Sequence, residues 1–219
     1  LKVEGIYTHL SVPDTDKTYT KQQLETFQKA VELIKTKINK IKYIHALASN
    51  GIVNFPEAQY NLVRPGLLLY GYSSQEKIAE KLKLKPVATL KSKITFLKEV
   101  EKQTSISYAR TFITKRKSKI ATIPIGYADG IPRSLSNKGE VVIKGKKVPI
   151  VGMVCMDSIM VDVTDSKEVN MGDEVFIWDN DQITLDDIAH HCDTINYEMI
   201  STISARVPRK FKNEKGFGN

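Results

Sequence analysis

Apolar residues recur at Leu24, Phe27, Val31, Ile34 and Ile38, the three-to-four spacing that lines one face of a helix. Thr20, answered by Gln23, is the pair expected to cap it. Shorter β-prone runs lie on either side. Gly5 to Leu10 runs into a turn around Pro13 and Asp14 and leaves His9 near a strand exit, while Ile41 to Leu47 predicts a second strand, followed by the small polar group Ala48-Ser49-Asn50-Gly51. A third expected strand, Leu67 to Tyr70, follows Val63-Arg64-Pro65-Gly66, and a short helix centred on Ile78 to Leu82 leads to Pro86. Strands alternating with helices predict a βα series, whose functional residues gather at the strands' C-terminal ends.

Beyond Pro86 the pattern changes. Val87 to Val100, Lys119 to Ile125, Glu140 to Val148, Ile159 to Thr164 and Glu174 to Trp178 are β-prone runs separated by Gly, Asn, Asp or Lys turns, as in a small antiparallel barrel or sandwich. The expected organisation is therefore an α/β domain over residues 1–86 and a mainly-β domain over 87–219. One helix interrupts the second domain at Leu185 to His191, capped by Thr184 with Asp187, and an apolar-small segment from Tyr197 to Ile203 precedes Arg206-Val207-Pro208-Arg209.

Composition narrows the function. Apolar residues make up 41% and charged residues 26% of 219, as in soluble globular proteins, and no run approaches the roughly 18 apolar residues of a membrane span. Cys155 and Cys192 are far apart, so neither a disulfide framework nor a metal site is expected, and a reducing cytoplasm fits. The net charge of +8 raises nucleic acid or an anionic small molecule as a partner. Its densest cluster, Lys115-Arg116-Lys117 with Lys119, has no interleaved aromatics, which favours a solvated loop over a nucleic-acid surface; a basic β-barrel binding module is the competing class. The chain starts at Leu1 in an apolar segment, as a piece of something longer with no targeting signal would.

The candidate chemistry centres on Ser105 to Gly130, which sets Tyr108 and Tyr127 among small, turn-forming and apolar residues. Arg64, leading into Pro65-Gly66, wants an acceptor such as a heteroaromatic nitrogen, carboxylate or phosphate. Ser49 with Asn50-Gly51, and Gly66 with Leu67, are turns that can offer N–H groups to a phosphate, and the turn Gly152 to Ser158 can offer one to another anion. No Walker motif, GxGxxG, HExxH or GxSxG is present.

Val63-Arg-Pro-Gly-Leu-Leu-Leu-Tyr-Gly71, Ile106-Ser-Tyr-Ala-Arg-Thr-Phe112, Ile123-Pro-Ile-Gly-Tyr-Ala-Asp-Gly130, Val151-Gly-Met-Val-Cys-Met-Asp157 and Tyr197-Glu198 through Arg206-Val-Pro-Arg209 resemble, in the same order, segments of bacterial alanine racemases. That resemblance implies the last units of a TIM-like (β/α)8 barrel that binds pyridoxal phosphate, a C-terminal β domain, and a homodimer whose active sites are shared between subunits. It implies racemisation of alanine, with serine as the rival substrate, supplying D-alanine for peptidoglycan, and neither nucleic acid nor membrane as a partner.

Carried over by residue, the resemblance makes Tyr108 the acid/base on one face of the substrate, with His9 and Arg64 as a hydrogen-bonded set behind it and Arg64 at the pyridine nitrogen. A phenol is weakly acidic and needs neighbouring cations to exchange protons. Ser49, the backbone of Gly66 and Leu67, and Tyr197 would hold the cofactor phosphate. Tyr127 would line the substrate entrance, and the Met156 N–H would bind the substrate carboxylate with Asp157 beside it. Ala109 replaces the family's usual Gly, and Ala48 replaces the Asn that commonly precedes the phosphate-binding Ser. No lysine has the surroundings of the family's cofactor lysine, which is therefore expected upstream of Leu1, with this chain inactive alone.

Overall fold

The computed structural model describes residues 2–38, 40–166 and 168–211. They form two compact units that part between Val87 and Ala88.

In the first unit β1 (Gly5–Tyr7) and β2 (Tyr43–His45) pair in parallel, Gly5 opposite Tyr43 and Tyr7 opposite His45, with α1 (Lys17–Lys35) as the crossover that parallel neighbours require. The apolar face of α1 sets Phe27 and Val31 into a core with Leu10, Ile44, Leu47 and Phe55, and Leu24 packs against it. The helix starts earlier than expected. Asp16, not Thr20, is the cap, its carboxylate accepting the Tyr19 N–H at 2.9 Å. A carboxylate is favoured at a helix N-terminus by both hydrogen bonding and the helix dipole. Thr20 is buried in the first turn instead, its hydroxyl donating to Asp16 O at 2.7 Å and Val12 O at 3.1 Å.

Two further expectations are corrected. Ser49-Asn50-Gly51 is no free turn but opens α2 (Ser49–Asn54), and Leu67–Tyr70 is a 3-10 turn rather than a strand. The cause is local. Gly71 takes φ +80, returns its N–H to Leu68 O at 3.1 Å, and lies so close to the chain that a Cβ there would sit 1.9 Å from Lys85 O. Only Leu67 of the run is buried while Leu69 and Tyr70 are exposed, so the two-sided burial that favours a parallel strand is missing. The strand-like contact falls at Arg64, in a single parallel bridge to Ala48. α3 (Glu76–Leu82) follows, burying Ile78.

The second unit is antiparallel. The run from Val87 to Val100 is two strands, β3 (Leu90–Lys93) and β4 (Phe96–Val100), which enter different sheets. After the short hairpin of β5 (Ser105–Ile106) and β6 (Phe112–Ile113) come β7 (Ser118–Ile123), β8 (Glu140–Ile143), β9 (Lys146–Pro149), β10 (Ile159–Asp162) and β11 (Glu174–Trp178). One sheet has the order β3-β11-β8-β9 and the other β10-β7-β4. The run from Glu140 to Val148 is thus a hairpin, turned by Lys144 at φ +48 and Gly145 at φ +74, the left-handed pair that a tight hairpin demands. Ile120, Ile123, Val141, Ile143, Val161, Val175 and Ile177 are fully buried in these sheets. α4 (Leu185–His191) has the expected capping box: Thr184 Oγ1 accepts the Asp187 N–H at 3.1 Å and the Asp187 carboxylate accepts the Thr184 N–H at 2.8 Å. α5 (Asn196–Ser201) follows it. No helix among the described residues is long and apolar enough to cross a membrane.

Candidate active site

On the first unit, Thr8 and His9 leave β1 and Ala46 leaves β2 at the same end of the parallel pair, and Arg64 reaches all three. Its Nη1 lies 2.5 Å from His45 Nδ1, and its Nη2 donates to Thr8 O at 3.0 Å, His9 Nδ1 at 3.2 Å and Ala46 O at 3.3 Å. Arginine only donates, so each imidazole accepts through Nδ1, leaving the proton of its neutral form on Nε2. The Tyr7 ring stacks on His45 with centroids 5.2 Å apart and planes 5° from parallel, and the Arg64 guanidinium lies 5.5 Å from the Tyr7 ring centre. Burial, and then the Arg64 charge, push the His45 imidazole below its ordinary pKa. Every hydrogen-bond partner of Arg64 among the described residues is a carbonyl or an imidazole. A half-buried guanidinium ringed by neutral acceptors favours an electron-rich group from outside the chain.

Ser49, 3% exposed at the start of α2, accepts the Gly66 N–H at 3.0 Å and the Leu68 N–H at 3.5 Å. Ser49 and the backbone from Gly66 to Leu68 therefore converge although the chain between them is long. A Cβ on Gly66 would meet only Ser49 Oγ, at 3.7 Å, so the space beside this backbone is open. Ala48 supplies no side-chain cap to α2, and the helix is instead held from behind by Asn50, whose Nδ2 donates to Ser74 Oγ at 2.6 Å and whose Oδ1 accepts from Ser73 Oγ at 3.3 Å. A hydroxyl and backbone N–H groups around an open space, next to a guanidinium with neutral partners, fit a phosphate and an aromatic nitrogen held side by side.

On the second unit, Tyr108 stands on a turn between β5 and β6 and is 73% exposed. Its neighbours are strained: Ser107 has φ +66 and ψ −173, Ala109 φ +57 and Arg110 φ +52. Ser107 Oγ donates to Met153 O at 2.7 Å, and Asn137 ties the same two regions, accepting the Gly152 N–H at 2.7 Å and donating to Thr111 Oγ1 at 3.1 Å. Beneath them Ile106, Ile120 and Val151 form a small core. The Tyr127–Asp129 turn docks on the same loop, Tyr127 N donating to Cys155 O and Ala128 N to Met156 O, both at 3.0 Å. Gly126 makes this approach possible, since a Cβ there would lie 2.3 Å from Cys155 O. Tyr127 and Met156 are 44% and 54% exposed.

Asp157 faces Arg206, whose Nη2 donates to it at 2.5 Å while Nε donates to Asp129 at 2.7 Å. Burial raises the Asp129 pKa, but the Arg206 hydrogen bond and the Gly126 N–H outweigh it and hold the carboxyl below its usual range. Tyr197 is carried by α5, and a hollow of about 330 Å³ beside Tyr127 is lined by Arg133, Cys192, Thr194 and Glu198. A larger hollow of about 630 Å³, near Lys2, Lys35 and Lys42, includes none of the candidate residues.

Thus His9 meets Arg64, Ser49 meets Gly66 and Leu68 on either side of Leu67, and Tyr108, Tyr127, Met156 and Asp157 stand on mutually tied loops. The sequence pattern did not single out His45, Tyr7, Ser107 or Asp129 for the site, nor give Arg206 a role. His45 had one visible signal, a polar ring inside the apolar run from Ile41 to Leu47.

A parallel βα unit in which Ser49 meets the Gly66 backbone beside Arg64, followed by an antiparallel β unit that presents exposed phenols on tied loops, is a two-part architecture of a βα domain joined to a β domain. Residues 1–74 match the family model described as alanine racemase, N-terminal domain, and residues 87–211 that of alanine racemase, C-terminal domain. The chain belongs to the alanine racemase family. It is 46% identical over 221 aligned positions to the alanine racemase of Halothermothrix orenii, covering 99% of this chain and 58% of that one. The alanine racemase of Bacillus anthracis with bound L-Ala-P superimposes with a TM-score of 0.89 at 36% identity, over 97% of this chain and 56% of the other. That of Bartonella henselae with covalently bound pyridoxal phosphate gives 0.80 at 32% identity, over 94% and 55%. The chain spans little more than half the length of these relatives.

Proposed function

We propose that this chain provides, within an enzyme of its relatives' full length, part of the machinery that interconverts L- and D-alanine on pyridoxal phosphate, as a cytoplasmic homodimer with shared active sites. The observation that carries this is the Arg64 guanidinium, whose hydrogen-bond partners among the described residues are all neutral acceptors and which stands beside the Ser49, Gly66 and Leu67 cradle. The cofactor, when bound, withdraws electrons from the substrate Cα and makes its proton removable. Ser49 Oγ and the backbone of Gly66 and Leu67 hold the phosphate, joined by Tyr197. Arg64 donates to the pyridine nitrogen, which keeps that nitrogen unprotonated and favours simple return of the proton over side reactions.

Tyr108 removes or returns the proton on one face, with His9 and Arg64 as the hydrogen-bonded set behind it. Tyr127 lines the entrance. The Met156 N–H, which donates to no protein group among the described residues, binds the substrate carboxylate, with Asp157 beside it.

Tyr108→Phe in the full-length enzyme tests this. Removing a positioned acid/base should cost roughly 100- to 10,000-fold in racemisation both ways, because each turnover uses both faces. Exchange of the Cα proton with deuterated solvent should fall for one enantiomer far more than for the other. Equal losses for both would reduce Tyr108 to a wall of the pocket, and unchanged rates would remove it from the reaction.

A further inference from the structure

Three segments far apart in sequence meet at Arg206: the turn from Gly126 to Gly130, the loop that ends in Met156-Asp157, and the tail after α5. The tail is shaped first. Arg209 Nη2 donates to Ile203 O at 2.8 Å and its Nη1 to Val207 O at 2.7 Å, closing the tail on itself. Ser204 N then donates to Asp129 O at 3.1 Å, and Gly130 lets the tail come so close that a Cβ there would lie 2.6 Å from Thr202 O. This geometry leaves the Arg206 fork spanning Asp129 at 2.7 Å and Asp157 at 2.5 Å. Asp129 is 9% exposed and also accepts the Gly126 N–H at 2.8 Å.

We infer that Arg206 is a positioning residue that sets affinity for the substrate carboxylate, by fixing the loop that offers the Met156 N–H and by cancelling the charge of Asp157 next to it. The inference rests on the function proposed above, in which Met156 N–H receives that carboxylate. Both arms of the fork end on this chain's own carboxylates, so Arg206 acts through its neighbours. Without it two effects follow. Asp129 would keep only the Gly126 N–H, and a poorly paired buried carboxylate loosens the turn that carries Tyr127. Asp157 would face the substrate side uncompensated, one residue from the amide that must attract an anion, and like charges oppose entry.

The test separates these effects and separates them from a general loss of fold. In the full-length holoenzyme, Arg206→Ala should raise KM for alanine about tenfold, the equivalent of about 1.4 kcal/mol, with kcat changed less than about threefold. Adding Asp157→Asn to Arg206→Ala removes the uncompensated charge and should recover at least about half of that loss on a logarithmic scale, whereas a merely structural defect would grow or stay the same. Arg206→Lys keeps the charge and should hold KM within about threefold of wild type. Hydrogen exchange at the Tyr127 and Ala128 amides should quicken in Arg206→Ala while β7 and β8 keep their protection.

An unchanged KM, a fall in kcat as steep as the rise in KM, or no recovery on adding Asp157→Asn would overturn the inference. A wild-type enzyme that does not racemise alanine would instead overturn the functional proposal, and the exchange measurement would still decide whether Arg206 holds the turn.

Discussion

Gly152→Ala should be among the costly single-methyl additions to this chain, and Gly172→Ala shows why. Both glycines lie in the left-handed region, at φ +79 and φ +88, so an added Cβ meets the same backbone strain at each. That strain is about 1–2 kcal/mol, offset by about 0.4–1 kcal/mol because alanine also restricts the unfolded chain. Around Gly172 nothing lies within 4 Å, so its substitution should cost only the remainder, about 1 kcal/mol. At Gly152 the new Cβ would sit 2.6 Å from both Ile106 O and Ser107 Cβ. Neither atom can rotate away, since one is backbone and the other is fixed to it, and forced overpacking adds about 1–3 kcal/mol. The total is about 2–4 kcal/mol, and at about 2–4 °C per kcal/mol for a chain of this size Gly152→Ala should lower Tm by about 4–16 °C against about 2–4 °C for Gly172→Ala. The fluorescence of Trp178, the single tryptophan and a buried one in the same unit, follows the transition. Equal losses at the two positions would refute the steric argument, and with it the claim that the Tyr108 turn and the Met156 loop are pressed into one body.

Ala109→Gly works in the opposite direction: Ala109 has φ +57, so glycine removes about 1–2 kcal/mol of strain against about 0.4–1 kcal/mol of added unfolded-state entropy, a net gain of about 1 kcal/mol, and Tm measured by calorimetry should rise by about 2–4 °C. A fall in Tm would mean that the Ala109 methyl makes a contact worth more than its strain. His45 is depressed by burial and by Arg64, so folding favours its neutral form; its contribution is complete above pH 6.5 and is lost as pH falls below that value towards the lowered folded pKa. An NMR titration should place the His45 midpoint below 6.5, and a midpoint at or above it would show that Arg64 does not donate to its ring.

What the sequence made legible is what short windows encode. The buried face of α1, the capping box at Thr184 and Asp187, and the β runs after Pro86 are each written in residues a few positions apart, and they form. Asp16 displaced Thr20 as a cap because two capping side chains stood within four residues and only the burial of Thr20 decides between them. Leu67 to Tyr70 misled for a related reason: four apolar residues look like a buried strand until Gly71 is seen to turn the chain against Lys85.

The parts of the site that escaped share a different physical character. Arg206 meets Asp129 across 77 residues and Asp157 across 49, and nothing in the surroundings of any of the three announces the others. Likewise no local rule places Ser107, Ala109 and Arg110 in left-handed conformations, where glycine would be the ordinary choice. Such a run persists only when tertiary ties over-determine it, and here the Ser107 bond to Met153 O and the Asn137 bridge between Thr111 and Gly152 do so from two directions. The exposed phenol of Tyr108 is thus held by contacts to a loop 46 residues further on, so its placement and that of the Met156 amide are one structural fact. A substitution on either loop should therefore disturb both.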